Sequence, residues 1–316
     1  MTSRIRNMTM TSLTQTSKTA ALPIPGTKAG NLGLLLVTGI TLGTVFPLGK
    51  FAASAGIDSL AWPASMMLGG GLILAAIAMS KRERLPLSAR HIAYYAMAGL
   101  LTMAIPNILL FAVMPHLGAG LSAIFYTLPP LLTLLLSVAL GVEQNTRKRS
   151  IGILLGLAGA LTIVAPSGLY GSTELAGWML LALLIPVTIA AGNVYRTKAW
   201  PAGSSPLALS AGTMLSAALW LLLAAGFTGR LSGLATLGNA PALVLLQATL
   251  FGLQFLLFMR LQRLSGPVFV SQVGYIAPVV GLLSGLFLFG ERYSILVVLG
   301  AALVAAGVVI GNRRSN

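Results

Sequence analysis

Residues 118–144 read GAGLSAIFYTLPPLLTLLLSVALGVEQ, and residues 265–292 read SGPVFVSQVGYIAPVVGLLSGLFLFGER. The two stretches share glycine, proline and glutamate at a constant offset of 148 residues. The matched pairs are Gly118 and Gly266, Pro130 and Pro278, and Glu143 and Glu291. Since the chain contains only five acidic residues, the glutamate match is more specific than the leucine matches around it. The pattern predicts an internal repeat.

The chain around these stretches is strongly apolar. Of its 316 residues, 56% are hydrophobic and 8% are charged, whereas a soluble domain carries about 25% charged residues. A membrane-spanning helix needs about 20 mostly apolar residues. Ten segments meet or approach this length, and they lie near residues 31–54, 58–80, 91–114, 117–141, 149–166, 175–198, 205–228, 241–263, 266–290 and 293–311. We therefore expect an all-α integral membrane protein with ten transmembrane helices.

The repeat divides these helices into two groups of five. We expect a mobile cytoplasmic tail over residues 1–29, a first repeat over 30–166, and a second repeat with a short C-terminal tail over 167–316. Because five is odd, the second repeat crosses the membrane in the opposite sense to the first. Inverted repeats are typical of secondary transporters, in which one half moves against the other around a site near the membrane midplane.

Basic residues orient the predicted helices, because cytoplasmic loops are enriched in lysine and arginine. With the N-terminus in the cytoplasm, 17 of the 20 basic residues fall on the inner side. The remaining three are Lys50, Arg230 and Arg292. We expect a multi-pass protein of the cell (inner) membrane with both termini in the cytoplasm.

Charge and composition also exclude several functions. A net charge of +15 in a soluble protein would suggest nucleic acid, but here the basic residues lie between apolar runs, so we expect no nucleic-acid partner. The chain has no cysteine, and its acidic residues are scattered at loops and helix ends, so we expect no catalytic residues, metal or cofactor. We expect membrane lipids and a small-molecule substrate as partners, and we leave open a homodimer.

Polar residues inside apolar spans indicate where a solute could bind, because exposing them to lipid costs free energy. They come from helices of both halves, as a shared central cavity requires. The predicted substrate-binding residues are Lys50, Thr44, Asn107, Tyr126, Asn193, Gln247, Gln254, Gln272 and Tyr275. The alternative for each residue is a hydrogen bond to a neighbouring backbone that stabilises helix packing.

A second group of residues is predicted to support gating or structure. Pro130 and Pro278 are expected to bend the fourth and ninth helices, because proline removes a backbone hydrogen bond. Glu143 and Glu291 each precede a helix N-terminus, where a carboxylate is stabilised by free N–H groups. We expect these carboxylates to cap helices at opposite membrane faces rather than to form a catalytic pair.

The paired proline-to-glutamate stretches are each followed by a glycine-rich helix, GILLGLAGALTIVAP over 152–166 and LGAALVAAGVVIGN over 299–312. In this pattern, over about residues 30 to 311, the chain resembles the drug/metabolite transporter superfamily, in its EamA-type branch with two five-helix repeats. The resemblance implies a cavity lined by helices one to four and six to nine, with helices five and ten peripheral. It also implies export of amino acids, other metabolites or drugs.

We therefore expect a secondary transporter that exports amino acids or related small metabolites or drugs by alternating access. One alternative is a flippase for a lipid-linked substrate, which would need a lateral opening to lipid. A membrane-embedded enzyme acting on a lipid is a further alternative, less favoured because no acidic cluster or nucleophile set can be assembled.

Overall fold

The structure, a computed structural model, describes residues 28–110, 112–113, 116, 125–164, 176–290 and 295–312. The described residues with regular structure are helical. In chain order the α-helices are α1 (Lys28–Gly43), α2 (Val45–Ser54), α3 (Ala61–Ser80), α4 (Ala89–Gly99), α5 (Pro129–Ala139), α6 (Arg147–Val164), α7 (Ala176–Ala182), α8 (Leu184–Lys198), α9 (Pro206–Phe227), α10 (Pro241–Ser271), α11 (Val273–Phe289) and α12 (Ile295–Asn312). A π-helical turn, Leu100–Ala104, extends α4, and a 3-10 helix, Leu231–Asn239, precedes α10.

Several helices are long and apolar enough to cross a membrane. Within the described residues there are six, namely Gly30–Ser54, Ala61–Ser80, Ala89–Leu110, Gly177–Lys198, Pro206–Phe227 and Pro241–Ser271. Pro129–Ala139 and Val273–Phe289 are shorter apolar helices. The multi-helix membrane fold is therefore confirmed, while the count of ten stays a prediction. The predicted fourth span is described only from residue 125 onward, and the predicted tail lies almost wholly outside the described residues.

The break between the predicted eighth and ninth spans lies inside α10. Gly266 has φ 82° and ψ 175°, so the backbone leaves the helical conformation there and resumes it at Pro267. A positive φ favours glycine, because a Cβ would clash with the backbone. The boundary predicted between residues 263 and 266 therefore matches an interruption of the helix at Gly266. α10 consists of a long helical segment before Gly266 and one short helical turn after it.

Local sequence explains two helix starts at the predicted loops. The Asp58 carboxylate accepts hydrogen bonds from the N–H groups of Leu60 and Ala61, at 2.8 and 3.0 Å, and so caps α3. The Ser205 hydroxyl accepts from the N–H of Ala208 at 3.1 Å and caps α9. Both side chains satisfy N–H groups that a helix leaves without partners in its first turn.

The helices pack in a small number of close pairs. These are α3 with α9, α3 with α10, α4 with α9, α1 with α11, α1 with α10, α5 with α8, and α6 with α12. The largest buried apolar cluster lies among α3, α4, α9 and α10, and it includes Met67, Leu74, Tyr94, Met214, Leu221 and Met259. α3 and α10 approach closely at two glycines, because a Cβ on Gly70 would lie 3.1 Å from the Cα of Gly252. The centre of the bundle therefore lies against α10.

Candidate solute pathway

One face of α10 carries three buried amide side chains. Gln247, Gln254 and Gln262 are each at most 3% exposed, and they are spaced by seven and eight residues, close to two helical turns. They form a polar stripe about 22 Å long at 1.5 Å per residue. Neither amide atom of Gln247 has a hydrogen-bond partner among the described residues. The stripe, two of whose members the sequence predicts as substrate-binding, faces the interior of the bundle.

Arg196 anchors a buried polar network at one end of this stripe. Its Nε donates to Oε1 of Gln262 at 2.9 Å, and its Nη2 donates to Oδ1 of Asn193 at 2.6 Å. Gln262 donates in turn to the carbonyl oxygen of Asn193 at 2.7 Å, and Asn193 donates to Oγ1 of Thr133 at 3.2 Å. The network joins α5, α8 and α10, which belong to different predicted repeats.

Arg196 is fully buried without an acidic neighbour in the described part of the chain. Of the acids described there, Asp58 and Glu143 pair with other arginines, and Glu83 accepts from Ser205. The Arg196 guanidinium instead lies over the Phe258 and Phe255 rings, 5.0 and 5.8 Å from their centroids. Such cation–π contacts offset part of the free-energy cost of burying a charge.

The basic-residue pattern alone did not identify Arg196 as a buried residue. There it counts as one of the 17 basic residues on the inner side, near the end of the predicted span 175–198, whereas the structure places it inside α8 with 0% exposure. The signal that could have identified it is its spacing of three residues from Asn193, since residues three apart lie on the same helix face.

Other predicted site residues bond to backbone in this conformation. Thr44 donates to the carbonyl of Thr41 at 2.7 Å, and Asn107 donates to that of Met103 at 2.7 Å, both within their own helical segments. The Tyr126 hydroxyl donates to the carbonyl of Pro106 at 3.2 Å and so joins two segments of the first predicted repeat. For these three residues the packing alternative describes the contacts seen, and a role in binding stays a prediction.

Gln272 and Tyr275 lie where α10 passes into α11. Gln272 is 2% exposed and occupies the turn between the two helices. The Tyr275 hydroxyl donates to the carbonyl of Ile153 at 3.1 Å, and its ring lies against Gly156. Tyr275 therefore faces α6, the helix that pairs with α12.

Lys50 lies at the end of the first helical span. It is exposed, and its ammonium lies 4.1 Å from the centroid of the Phe289 ring. The neighbouring Phe51 ring also contacts Phe289, with centroids 5.1 Å apart. Through these contacts the C-terminal end of α2 packs against the C-terminal end of α11.

Glu143 caps the helical turn after the break at Gly266. Its Oε1 accepts from the N–H of Val268 at 3.1 Å, and its Oε2 accepts from Nη1 of Arg149 at 2.5 Å. Burial raises the pKa of the Glu143 carboxyl above its ordinary value, while Arg149 and the Val268 N–H oppose that rise. Glu291, which is paired with Glu143 by the sequence offset, lies outside the described residues.

The two predicted hinge prolines occupy different positions in their helices. Pro130 lies in the first turn of α5, directly after a turn at residues 126–128. Pro278 lies inside α11, six residues after the turn at Gln272. A turn therefore precedes each helix on the N-terminal side of the proline.

Polar contacts between loops link α3 and α9 at both ends. Arg230 Nη2 donates to Oδ2 of Asp58 at 2.6 Å. Burial acts to raise the pKa of Asp58, but the capping N–H groups and Arg230 outweigh it, so the pKa lies below its ordinary value. At the other end the Ser205 hydroxyl donates to Oε2 of Glu83 at 2.5 Å. Across the described ranges no three His, Asp or Glu side chains are grouped closely enough to hold a metal ion.

Comparison with known proteins agrees with this architecture. The model of the EamA-like transporter family matches residues 30–165 and again residues 176–313. The chain is 30% identical over 273 residues to the uncharacterized inner membrane transporter YedA of Escherichia coli (strain K12), covering 82% of this chain and 84% of YedA. It is 24% identical over 221 residues to protein PecM of Dickeya dadantii, covering 67% of this chain and 71% of PecM.

The fold also resembles a solved crystal structure of a protein, with a TM-score of 0.71 and 19% identity over 88% of this chain and 97% of the other. At that identity the likeness supports the fold alone. The family match covers most of both halves of the chain. The chain is a multi-pass membrane protein that belongs to the EamA-like transporter family.

Proposed function

We propose that this protein is a secondary transporter of the inner membrane that exports amino acids or related small metabolites or drugs by alternating access. In the proposed architecture ten transmembrane helices form two inverted five-helix repeats, so that the first helix corresponds to the sixth, the second to the seventh, and so on. The two matches to the family model, at 30–165 and 176–313, fall in the two proposed repeats.

The observation that carries the proposal is the symmetry of the helix pairs. In the proposed repeats the equivalent pairs are α1 and α8, α3 and α9, α4 and α10, α5 and α11, and α6 and α12. Exchanging each helix for its equivalent turns the α1–α11 contact into the α8–α5 contact, and the α3–α10 contact into the α9–α4 contact. The α3–α9 and α6–α12 pairs exchange with themselves. A two-fold axis in the membrane plane would produce this pattern, and it is the symmetry that lets two halves rock around a common site.

The interior polar groups support a pathway at this axis. Asn193 and Gln262 come from the second proposed repeat and Thr133 from the first, and they meet in one buried network. Such groups are costly at membrane depth unless they bind each other, water or a solute. The direction of export follows from what the family resemblance implies.

Transport itself is tested with the purified full chain in proteoliposomes and a panel of radiolabelled amino acids, related metabolites and drugs. We expect saturable exchange in which unlabelled solute on the opposite side accelerates the labelled flux. Absence of flux for the whole panel, or a flux that does not saturate and is not accelerated in this way, would contradict a secondary transporter.

Orientation is tested separately, because both proposed cytoplasmic termini rest on the distribution of basic residues. A reporter active only outside the cytoplasm, fused after Asn316, should be silent. Strong activity would contradict the ten-helix arrangement.

A second candidate, a flippase for a lipid-linked substrate, is favoured by one observation. An apolar groove of about 540 Å³ lies between α3 and α10, and Ser65, Gly69, Leu72, Val244 and Ala248 are among its lining residues. A groove of this kind could accept an acyl chain from the side. Translocation of a fluorescent lipid-linked sugar in the same proteoliposomes, with no flux of any water-soluble solute, would support the flippase and contradict the main proposal.

A further inference from the structure

Three buried polar groups near one end of α10 lack partners within the part of the chain that the structure describes. They are Nη1 of Arg196, Nη1 of Arg263 and the hydroxyl of Tyr94. Tyr94 lies within electrostatic range of both arginines. All three belong to the end of the bundle at which the basic residues cluster, which the proposal places toward the cytoplasm.

The surrounding contacts hold the two guanidiniums in defined orientations. Hydrogen bonds to Gln262 and Asn193 hold two of the three nitrogens of Arg196, Nε and Nη2. These bonds fix the orientation of the third nitrogen, Nη1. Arg263 lies over the Trp200 ring, with its Cζ 4.9 Å from the ring centroid. The Tyr94 ring lies 6.5 Å from the same tryptophan. Arg263 and Tyr94 therefore lie around Trp200, while Arg196 lies against Phe258 and Phe255 of α10.

This arrangement is costly in the absence of a ligand. A buried charge without a counter-charge is strongly unfavourable, and a buried N–H without an acceptor adds to that cost. Among the described residues, Arg196 is compensated by the two amide oxygens of Gln262 and Asn193 and by aromatic rings, and by no opposite charge. An anionic group bound between the arginines would supply both the missing charge and the missing acceptors.

From this cluster we infer that Arg196, Arg263 and Tyr94 form a recognition site for a carboxylate group on the transported solute; the inference rests on the proposed transport function. Guanidinium N–H groups bind the two planar oxygens of a carboxylate well. A phosphate group carries a charge of about −1.5 to −2 at pH 7 and is more costly to transfer into an apolar bundle. Because the three groups are sealed from solvent in this conformation, solute enters when this end of the bundle opens.

The inference is tested by binding to the full-length protein in detergent, with Trp200 as the reporter. The chain has four tryptophans, so replacing Trp62, Trp178 and Trp220 with phenylalanine leaves Trp200 alone. The probes are matched pairs of N-acetyl-L-phenylalanine, N-acetyl-L-leucine and N-acetyl-L-methionine with their primary amides, and also phenyl phosphate. We expect at least one acid to quench Trp200 saturably and to bind at least tenfold more tightly than its amide.

Variants separate binding from folding. Arg196→Gln should weaken binding of that acid at least tenfold without changing binding of the amide. Arg196→Lys, which keeps the charge, should lose less affinity. Arg260→Gln is the matched control, because Arg260 is exposed on α10, the helix that carries Gln262 and Arg263. Elution volume and melting temperature report whether each variant folds. If Arg196→Gln does not fold, the affinities of the acids and their amides for the parent protein still test whether a carboxylate is recognised.

Several results would overturn the inference. They are equal affinity for acid and amide in every pair, tighter binding of phenyl phosphate than of any acid, or unchanged acid binding in a folded Arg196→Gln variant. Saturable transport of uncharged solutes that Arg196→Gln leaves intact would also overturn it, while the proposed transport function would stand. Acid binding without any transport would instead remove the transport function and leave the site.

Discussion

The carbonyl oxygen of Tyr126 lies 3.4 Å from the position that a Cβ atom would occupy on Gly274. The two residues are related by the repeat offset, and each lies four residues before one of the paired prolines. Each carbonyl is therefore the helical acceptor that a proline, having no N–H, cannot bond. The turn before α5 and the first turn of α11 thus meet at one contact between the proposed repeats.

This contact predicts a role for the two prolines in the rate of conformational exchange. The double variant Pro130→Ala, Pro278→Ala restores two N–H donors and should make both segments more regular helices. We expect the maximal rate of solute exchange in proteoliposomes to fall several-fold, with little change in the half-saturating concentration. Pro206→Ala is the control, because Pro206, like Pro130, lies in the first turn of a helix but is not one of the prolines paired by the repeat offset. Unchanged turnover with reduced affinity would contradict a hinge role.

Glu143 is predicted to cap a helix and not to couple an ion. In Glu143→Gln the amide oxygen can still accept from the Val268 N–H, but the ion pair with Arg149 is lost. We expect most transport activity to remain, with a loss of about 1–3 kcal/mol in stability from the weakened charged hydrogen bond. Exchange rate and melting temperature are the measurements.

A second variant at the same contact checks this account. Gly266→Ala forces a Cβ into a positive-φ backbone and against Oε1 of Glu143, so it should lower the melting temperature more than Glu143→Gln does. Complete loss of transport in a normally expressed Glu143→Gln variant would instead indicate ion coupling at this carboxylate.

Lys50 is predicted to bind solute at the opposite end of the bundle from Arg196. Lys50→Met keeps the length of the side chain and its contact surface on Phe289 but removes the charge. If the ammonium binds substrate carboxylates, affinity measured from the outer side should fall, and Lys50→Arg should restore it. Unchanged affinity for every transported carboxylate would leave Lys50 as an interfacial anchor, in keeping with its exposure.

Close packing of α3 on α10 predicts a stability difference between two glycines. A Cβ on Gly70 would lie 2.9 Å from the carbonyl oxygen of Ala248, a backbone atom that cannot move aside cheaply. Gly33 lies in α1 with nothing within 4 Å of the same position. Gly70→Ala should therefore lower the melting temperature, whereas Gly33→Ala should leave it unchanged or raise it, since alanine favours helix by about 1 kcal/mol over glycine. Equal effects of the two substitutions would contradict the close approach of α3 to α10.

Hydropathy and basic-residue positions were sufficient to predict most helix bounds, including the break at Gly266. Helix bounds follow from the free-energy cost of placing charged side chains, or backbone groups without hydrogen-bond partners, in lipid. They were not sufficient for the site. Asn107 and Tyr275 are polar residues in apolar spans like Gln247, yet the first bonds its own helix and the second faces α6. Helix rotation decides between these outcomes, and it depends on packing between distant segments. The burial of Arg196 was not predicted for a related reason. Packing between helices also decides whether a residue near a helix end is exposed or buried.

The alternating-access claim is tested most directly by distances at the two ends of the bundle. The chain has no cysteine, so spin labels attach only at introduced positions. One pair, at Phe51 and Phe287, reports the ends of α2 and α11, and the other, at Leu140 and Lys198, reports the ends of α5 and α8; all four residues are exposed. These are equivalent helix pairs in the proposed repeats. In lipid nanodiscs, adding a saturating transported solute should lengthen one distance while it shortens the other. Distances that change in the same direction, or that both stay fixed in a preparation that transports, would contradict the account.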